Sequence, residues 1–258
     1  MVSAGERLAG NPGQTAGAGL GAAARPIAGT GPIAGTGPIG GAGPTADPER
    51  PAGVGSPAGT RLAAVVLAGG RARRLGGADK PGLVVGTRTL LAAVVAAAAE
   101  AGAARVVVVG PPRAGLGAVA SCRVEFVRED PPGTGPVAGL RRGLAGVSAP
   151  WVAVLAADMP FLQARHLVVL LGAAEQSQRG AILIDDSGRP QWLAGCWPTA
   201  AIRGRLAGYP GDSLHGLLAR LGPVRLSYPA GPGDPPPWLD CDTTSDLSRA
   251  REWARRSP

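Results

Sequence analysis

The 258-residue chain carries 26 basic and 18 acidic residues, a net charge of +8, and only 3% aromatic residues. The excess suits nucleic acid, an acidic membrane or a phosphorylated small molecule, but aromatics so sparse and scattered cannot build a base-stacking platform. No run reaches the roughly eighteen apolar residues of a membrane span, because Glu100 and Arg105 interrupt the longest one, Leu90 to Val109.

Composition divides the chain near Thr60. Residues 1–60 are almost entirely Gly, Ala, Pro and Thr, with three basic residues balanced by three acidic ones, so the whole net charge lies in residues 61–258. Pro26 to Gly43 repeats PIAGTG, PIAGTG, PIGGAG. Three short copies rich in Gly and Pro cannot bury enough apolar area to offset chain entropy, so a disordered extension is expected before a single domain at 61–258. Met1 to Leu20 lacks the basic start and long apolar run of a secretory signal, and the expectation is a soluble, cytoplasmic protein. Cys122, Cys196 and Cys241 form no C-x-x-C pair and are expected to pack as small hydrophobes.

From Leu62 the apolar segment LAAVVL reads as a buried strand that delivers a loop: Ala68, Gly69, Gly70, then Arg71, Arg73, Arg74, Gly76, Gly77 and Asp79-Lys80. Glycines let backbone N–H groups approach an anion, and the adjacent cations supply charge, so phosphate is the natural guest. The Walker pattern fails, since Ala78 and Asp79 separate the glycine pair from the lysine and Pro81 replaces the hydroxyl residue; G-x-G-x-x-G is absent too. Lys80 is the only lysine among the 26 basic residues. In a chain so biased toward arginine, that exception points to a need for a compact ammonium.

The elements that follow alternate. Thr89 to Ala101 reads as a helix ended by Gly102, although its many alanines hide the buried face. Arg105 to Val109, Arg123 to Val127 and Trp151 to Ala156 read as strands, and their unbroken apolar runs suit parallel strands covered on both faces. Ile182 to Ile184 and Trp192 to Cys196 read as strands around the turn Asp185-Asp186-Ser187-Gly188, with helices at Ser213 to Leu221 and Ser245 to Arg255. The fold class is α/β: a doubly wound, mostly parallel sheet with helices on both faces.

Asp158 follows the fourth strand in LAADMPF. Ligands of open α/β sheets bind where the strand order reverses; with the order 3-2-1-4, the basic loop faces Asp158 across that crevice. A carboxylate beside bound phosphates needs a cation between them, which makes Asp158 a candidate Mg²⁺ ligand. The alternative is a cap for the helix starting near Gln163. His166 and His215 lie outside every such segment and are expected at the surface or in the core.

The stretch LAGGRARRLGGADK resembles the signature LAGG-x-S-x-R-M-G-x-x-D-K of nucleotidyltransferases with a Rossmann-like fold, and within them the molybdenum cofactor guanylyltransferases. Leu67, Ala68, Gly69, Gly70, Arg74, Gly76, Asp79 and Lys80 match; Ala72 stands for serine and Leu75 for methionine. Asp158 stands at the aspartate of C-D-x-P-F, with Ala157 for cysteine, and Gly135 to Leu140 matches G-P-L-A-G-L with Val137 for leucine. The resemblance implies that Leu67, Ala68, Gly69, Gly70, Lys80, Asp130 and Asp158 bind GTP. It also implies that Arg74, Lys80 and Asp158 serve catalysis, and that Mg²⁺ sits on Asp158. The implied reaction is transfer of GMP to the terminal phosphate of molybdopterin, or of its molybdenum-loaded form, with release of pyrophosphate, by a protein expected to be a monomer without nucleic-acid or membrane partners. An acceptor phosphate already ionised at neutral pH needs no activated side-chain nucleophile, in keeping with the lack of a Ser/His or Cys/His constellation. Alternatives are a cytidylyl- or sugar-nucleotide transferase on the same fold and a non-catalytic GTP-binding protein; cytidylyltransferases usually carry a serine-rich sequence in place of Gly135 to Leu140. Asp240-Cys241-Asp242-Thr243 resembles the D-x-[DN]-T-P-E-D-L ending of the superfamily, with Thr244 and Ser245 for Pro and Glu. Its two carboxylates could serve a second metal or the acceptor, or start the last helix.

Overall fold

The computed structural model describes residues 61–69, 79–116, 122–228, 231 and 233–256. Residues 1–60, with the hexapeptide repeat, lie outside the described part, as do Gly70 and residues 71–78, which include Arg74.

Strand β1 (Leu62–Leu67) is an interior strand of a seven-stranded sheet. On one side it pairs in parallel with β4 (Ala103–Val109), which pairs in parallel with β5 (Arg123–Val127); on the other it pairs in parallel with β6 (Trp151–Ala156). The order β5-β4-β1-β6 is the expected 3-2-1-4 arrangement. Beyond β6 lie β8 (Pro190–Pro198), β7 (Ala181–Ile184) and β9 (Val224–Ser227). β8 is antiparallel to both its neighbours because a tight turn joins it to β7; every other pairing in this sheet is parallel.

β1 explains why its sequence shows no alternation. Leu62, Ala64 and Val66 face a core shared with helices α1 (Leu90–Glu100) and α3 (Ala164–Ser177), while Ala63 and Val65 face a second core under α2 (Pro136–Leu144), α4 (Thr199–Ala207) and α5 (Leu214–Leu218). Both faces being covered, each position must be apolar. Burying a Val or Leu here contributes roughly 1.5–3 kcal/mol before chain entropy is set against it. The alanines of α1 are explained likewise: Leu90, Leu91 and Val94 to Ala99 are all buried, leaving the helix almost no solvent face. Thr89 caps it, its side chain accepting from the Ala92 N–H at 3.1 Å. Gly143 lets α2 lie close against the sheet, since a Cβ there would meet Val65 Cγ1 at 2.5 Å and Val109 Cγ2 at 2.9 Å.

A small hairpin of β2 (Val84–Val85) and β3 (Arg88–Thr89) precedes α1, and the last helix, α6 (Thr244–Arg256), covers it through a third core of Val85, Leu90, Leu239, Cys241, Leu247 and Ala250. The hairpin, α4 and β9 go beyond the elements expected from the sequence, whereas β5 spans Arg123–Val127 as expected. Cys196 and Cys241 are fully buried among apolar side chains, as expected of small hydrophobes. Among the described residues no helix is long and apolar enough to cross a membrane.

Candidate active site

The chain leaves β1, β4 and β6 at one edge of the sheet, and backbone hydrogen bonds tie the three exits together. Ala68 donates to Val109, Ala157 to Leu67 and Gly110 to Val127 at 2.8–3.2 Å. A Cβ on Gly110 would come within 3.0 Å of the Ala68 carbonyl oxygen, so the exits of β1 and β4 run too close for any larger residue. Of the first loop, Leu67, Ala68 and Gly69 are thereby fixed; Gly70 and Arg74 lie outside the described residues.

The chain re-enters at Asp79, which precedes a single 3₁₀ turn, Lys80–Gly82. Arg113, in the loop after β4, grips the Asp79 carboxylate with two nitrogens, Nε at 3.0 Å and Nη2 at 2.5 Å. This hydrogen-bonded guanidinium holds Asp79 below the usual carboxylate range. Lys80 Nζ then reaches two carboxylates at once, Asp158 beyond β6 and Asp242 before α6. Burial disfavours the ammonium, but the two carboxylates outweigh it and raise the lysine above its ordinary pKa. The Lys80 and Asp158 side chains are 15% and 20% exposed, against 50% for Asp242. Among the described residues Asp158 Oδ1 is buried without a hydrogen-bond partner, so this carboxylate keeps an acceptor in reserve.

The helix-start readings of these aspartates do not hold. The residue preceding α3 is Gln163, not Asp158. At α6, Thr243 and Asp246 cap one another: the Thr243 N–H and hydroxyl donate to Asp246 Oδ2 at 2.9 and 2.7 Å, and the Asp246 N–H donates to Thr243 Oγ1 at 3.1 Å. Asp242 is thus left for Lys80. Asp240 is raised above the usual carboxylate range by burial and by the charges of Asp242 and Asp158, with Lys80 opposing.

Two cavities meet at Asp158, sharing Ala156, Asp158 and Leu193. The first, about 700 Å³, lies between Leu67, Gly69 and Val109 on one side and Gly133, Gly135, Pro136 and Gly139 on the other. Gly133 and Gly135 have φ of 83° and 98°, conformations that bring the N-terminus of α2 to the cavity wall. Glu129 lines this cavity and accepts from the Gly133 N–H at 3.2 Å, whereas Asp130 is exposed and is not part of its wall. The second cavity, about 1070 Å³, extends from Asp158 under β8, β7 and β9 and includes Asp240 and Asp242.

Glu129, Arg113 and the pairing of Lys80 with Asp242 were not legible in the sequence. Only the D-C-D-T ending hinted at Asp242. His166 and His215 take no part in the Lys80 cluster: His166 is buried at the start of α3, and His215 is exposed beside Trp192.

Residues 64–224 match the MobA-like NTP transferase domain family. The molybdenum cofactor guanylyltransferase of Bradyrhizobium sp. (strain ORS 278) is 32% identical over 205 residues, covering 76% of this chain and 94% of that protein. This chain belongs to the molybdenum cofactor guanylyltransferase family. Solved structures show the same fold. The molybdopterin-guanine dinucleotide biosynthesis protein A of Archaeoglobus fulgidus has a TM-score of 0.54 at 21% identity, covering 75% of this chain and 98% of that one. A Mycobacterium tuberculosis H37Rv protein solved as its complex with manganese has a TM-score of 0.55 at 23% identity, covering 75% and 99%. The family match runs from β1 to the start of β9 and leaves out the Asp240 to Asp242 segment, whose place beside Lys80 and Asp158 comes from the geometry.

Proposed function

We propose that this guanylyltransferase moves GMP from GTP to the terminal phosphate of molybdopterin, or of its molybdenum-loaded form, and releases pyrophosphate. The observation that carries the reading is the pair of cavities joined at Asp158, one walled by the glycine segments that resemble the family's nucleotide motifs, the other open to a second substrate. An acceptor phosphate oxygen forms the new bond to the α-phosphorus of GTP, the bond from that phosphorus to the β-phosphate oxygen breaks, and pyrophosphate carries away the electron pair. Since the attacking oxygen is already anionic, the side chains position and neutralise rather than abstract a proton. Lys80 serves the phosphates from its place beside Asp158 and Asp242, Leu67, Ala68 and Gly69 line the nucleotide, and Arg74 and Gly70 complete the loop. Asp130, exposed beside the first cavity, is retained as a nucleotide contact that a change of the loop after β5 would bring to GTP.

A divalent cation fits the residues present. Among the described residues Asp158 has a buried oxygen without a partner, Asp242 is half exposed beside it, and one or two carboxylates plus substrate phosphates are the usual donors for Mg²⁺. The manganese complex of the mycobacterial neighbour supports the same class of ion. Mg²⁺ on Asp158 and Asp242 would supply charge neutralisation at the α-phosphate. The reading includes a monomer in the cytoplasm, where GTP is available, acting without nucleic acid or membrane. Incubation with each of the four NTPs, Mg²⁺ and molybdopterin tests it. Pyrophosphate release with GTP above the other three is expected, and release that is equal or greater with CTP refutes the choice of guanine.

A further inference from the structure

The second cavity is larger than a phosphate needs, and its far end has a chemistry of its own. β6, β8, β7 and β9 are successive neighbours in the sheet, so at about 4.8 Å per strand the strand of Arg225 lies roughly 14 Å from the strand that delivers Asp158. Arg225 lies opposite Ile182, whose side chain belongs to the core under α4 and α5. Arg189 enters the same cavity from the turn between β7 and β8. That turn is braced by Asp185, which accepts from the Arg189 N–H at 2.9 Å and from Gln191 Nε2 at 3.0 Å. Among the described residues, neither Arg189 nor Arg225 forms a salt bridge. The wall also carries two half-buried indoles from different segments: Trp192, packed on the core under α4 and α5 and backed by His215 with ring centroids 5.1 Å apart, and Trp238, packed on the core under α1 and α3. Two of the five tryptophans of the chain therefore line one cavity.

Resting on the acceptor reading above, we propose that this cavity recognises the acceptor beyond its phosphate. Trp192 and Trp238 take the faces of a flat heterocycle, and Arg189 and Arg225 take an anionic or carbonyl-bearing edge remote from the reacting phosphate. The aromatic faces provide dispersion and stacking that a phosphorylated sugar could not match, and the paired guanidinium groups provide planar donors suited to an oxygen-rich edge. Trp192, Trp238, Arg189 and Arg225 thus determine acceptor specificity without touching the nucleotide.

The test measures the Michaelis constant for molybdopterin, the affinity for GTP with Mg²⁺, and the affinity for 6-carboxypterin as a fluorescent probe. These are compared in the wild type, Trp238→Leu, Trp238→Phe, Arg225→Gln and Arg189→Gln. Trp238→Leu should raise the acceptor KM and the probe Kd by roughly tenfold while GTP affinity stays unchanged, and Trp238→Phe, which keeps a ring, should recover most of the loss. Each arginine variant should weaken the probe severalfold at unchanged thermal midpoint. Retention of wild-type acceptor KM by the leucine and glutamine variants, or a parallel loss of GTP affinity, overturns the inference while leaving the guanylyltransferase reading intact. A wild-type chain that releases no pyrophosphate from GTP and molybdopterin refutes that reading, and this inference with it.

Discussion

Lys80 is the most informative position to perturb, because it is the point at which the basic loop, the end of β6 and the segment before α6 converge. Lys80→Arg keeps the charge but replaces a compact ammonium with a wide planar fork in a space where the lysine is only 15% exposed. One carboxylate can still be met, so stability should change by less than about 1 kcal/mol. The triphosphate is displaced, and turnover should fall about a hundredfold, equivalent to about 2.7 kcal/mol of lost transition-state stabilisation. Lys80→Met tests the same geometry from the other side. It leaves Asp158 and Asp242 without their cation, and a unit charge about 4 Å away at an effective dielectric constant of about 20 is worth roughly 4 kcal/mol. Half-exposed Asp242 calls for a heavy discount, so a gain of at least about tenfold in nucleotide-free Mn²⁺ affinity is expected. Pyrophosphate release reads the first variant and electron paramagnetic resonance of free Mn²⁺ reads the second. Near-wild-type turnover in Lys80→Arg, or no gain of Mn²⁺ affinity in Lys80→Met, refutes the proposed role of the lysine between Asp158 and Asp242.

Four further outcomes are expected. Asp158→Asn should fold normally yet lose on the order of a hundredfold in turnover at saturating Mg²⁺, and unchanged turnover removes Asp158 from the site. A chain starting at Arg61 should match the full chain in thermal midpoint and turnover, because residues 1–60 lack the apolar content to support a core; a loss of either would show that they contribute. Gly143→Ala should lower the urea-unfolding free energy by about 1–3 kcal/mol, since its Cβ would overlap Val65 and Val109; a neutral result means that α2 can retreat without cost. His166, 2% exposed, is lowered to about 4 by burial and by Arg165, so the unfolded chain takes up its proton first. Stability should be fully present above about pH 6.5 and fall by up to about 1.4 kcal/mol per pH unit toward pH 4; an equal slope in His166→Gln refutes that assignment.

The parts of the molecule legible in the sequence were those encoded by adjacent residues. β1, β5 and β6 were bounded correctly because a strand covered on both faces must be apolar at every position. The reversal of strand order beside β1 followed, and with it the approach of the first loop to Asp158. What escaped was encoded at a distance. Lys80 and Asp242 are 162 residues apart, Asp79 and Arg113 are 34 apart, and no periodicity links either pair. Glu129 was overlooked because the family pattern draws attention to the neighbouring Asp130, although it is Glu129 that reaches the cavity wall. The short hairpin β2–β3 was illegible for another reason: two-residue strands carry too little pattern, and this pair is held by α6, a helix about 160 residues further along the chain.

That distant packing bears on how the site is completed. Leu239 and Cys241 are buried with Val85 and Leu90 in the core under α6, while Asp240 and Asp242, the alternate residues, face Asp158 and Lys80. The extended segment therefore splits its side chains between anchorage and chemistry with the two-residue period of a strand, although it pairs with no strand among the described residues. Anchorage is apolar and needs no ligand, so the carboxylates are held in place before any substrate arrives. The reciprocal bonds of Thr243 and Asp246 satisfy the start of α6 and remove the competing use of Asp242 as its cap. With the last helix fixed to the hairpin that follows the Lys80 turn, the lysine and Asp242 are set against each other by one continuous apolar contact. Disturbing that contact at Leu247, remote from both cavities, should loosen Lys80 from Asp242 sooner than from Asp158, whose backbone is fixed by β6 in the centre of the sheet.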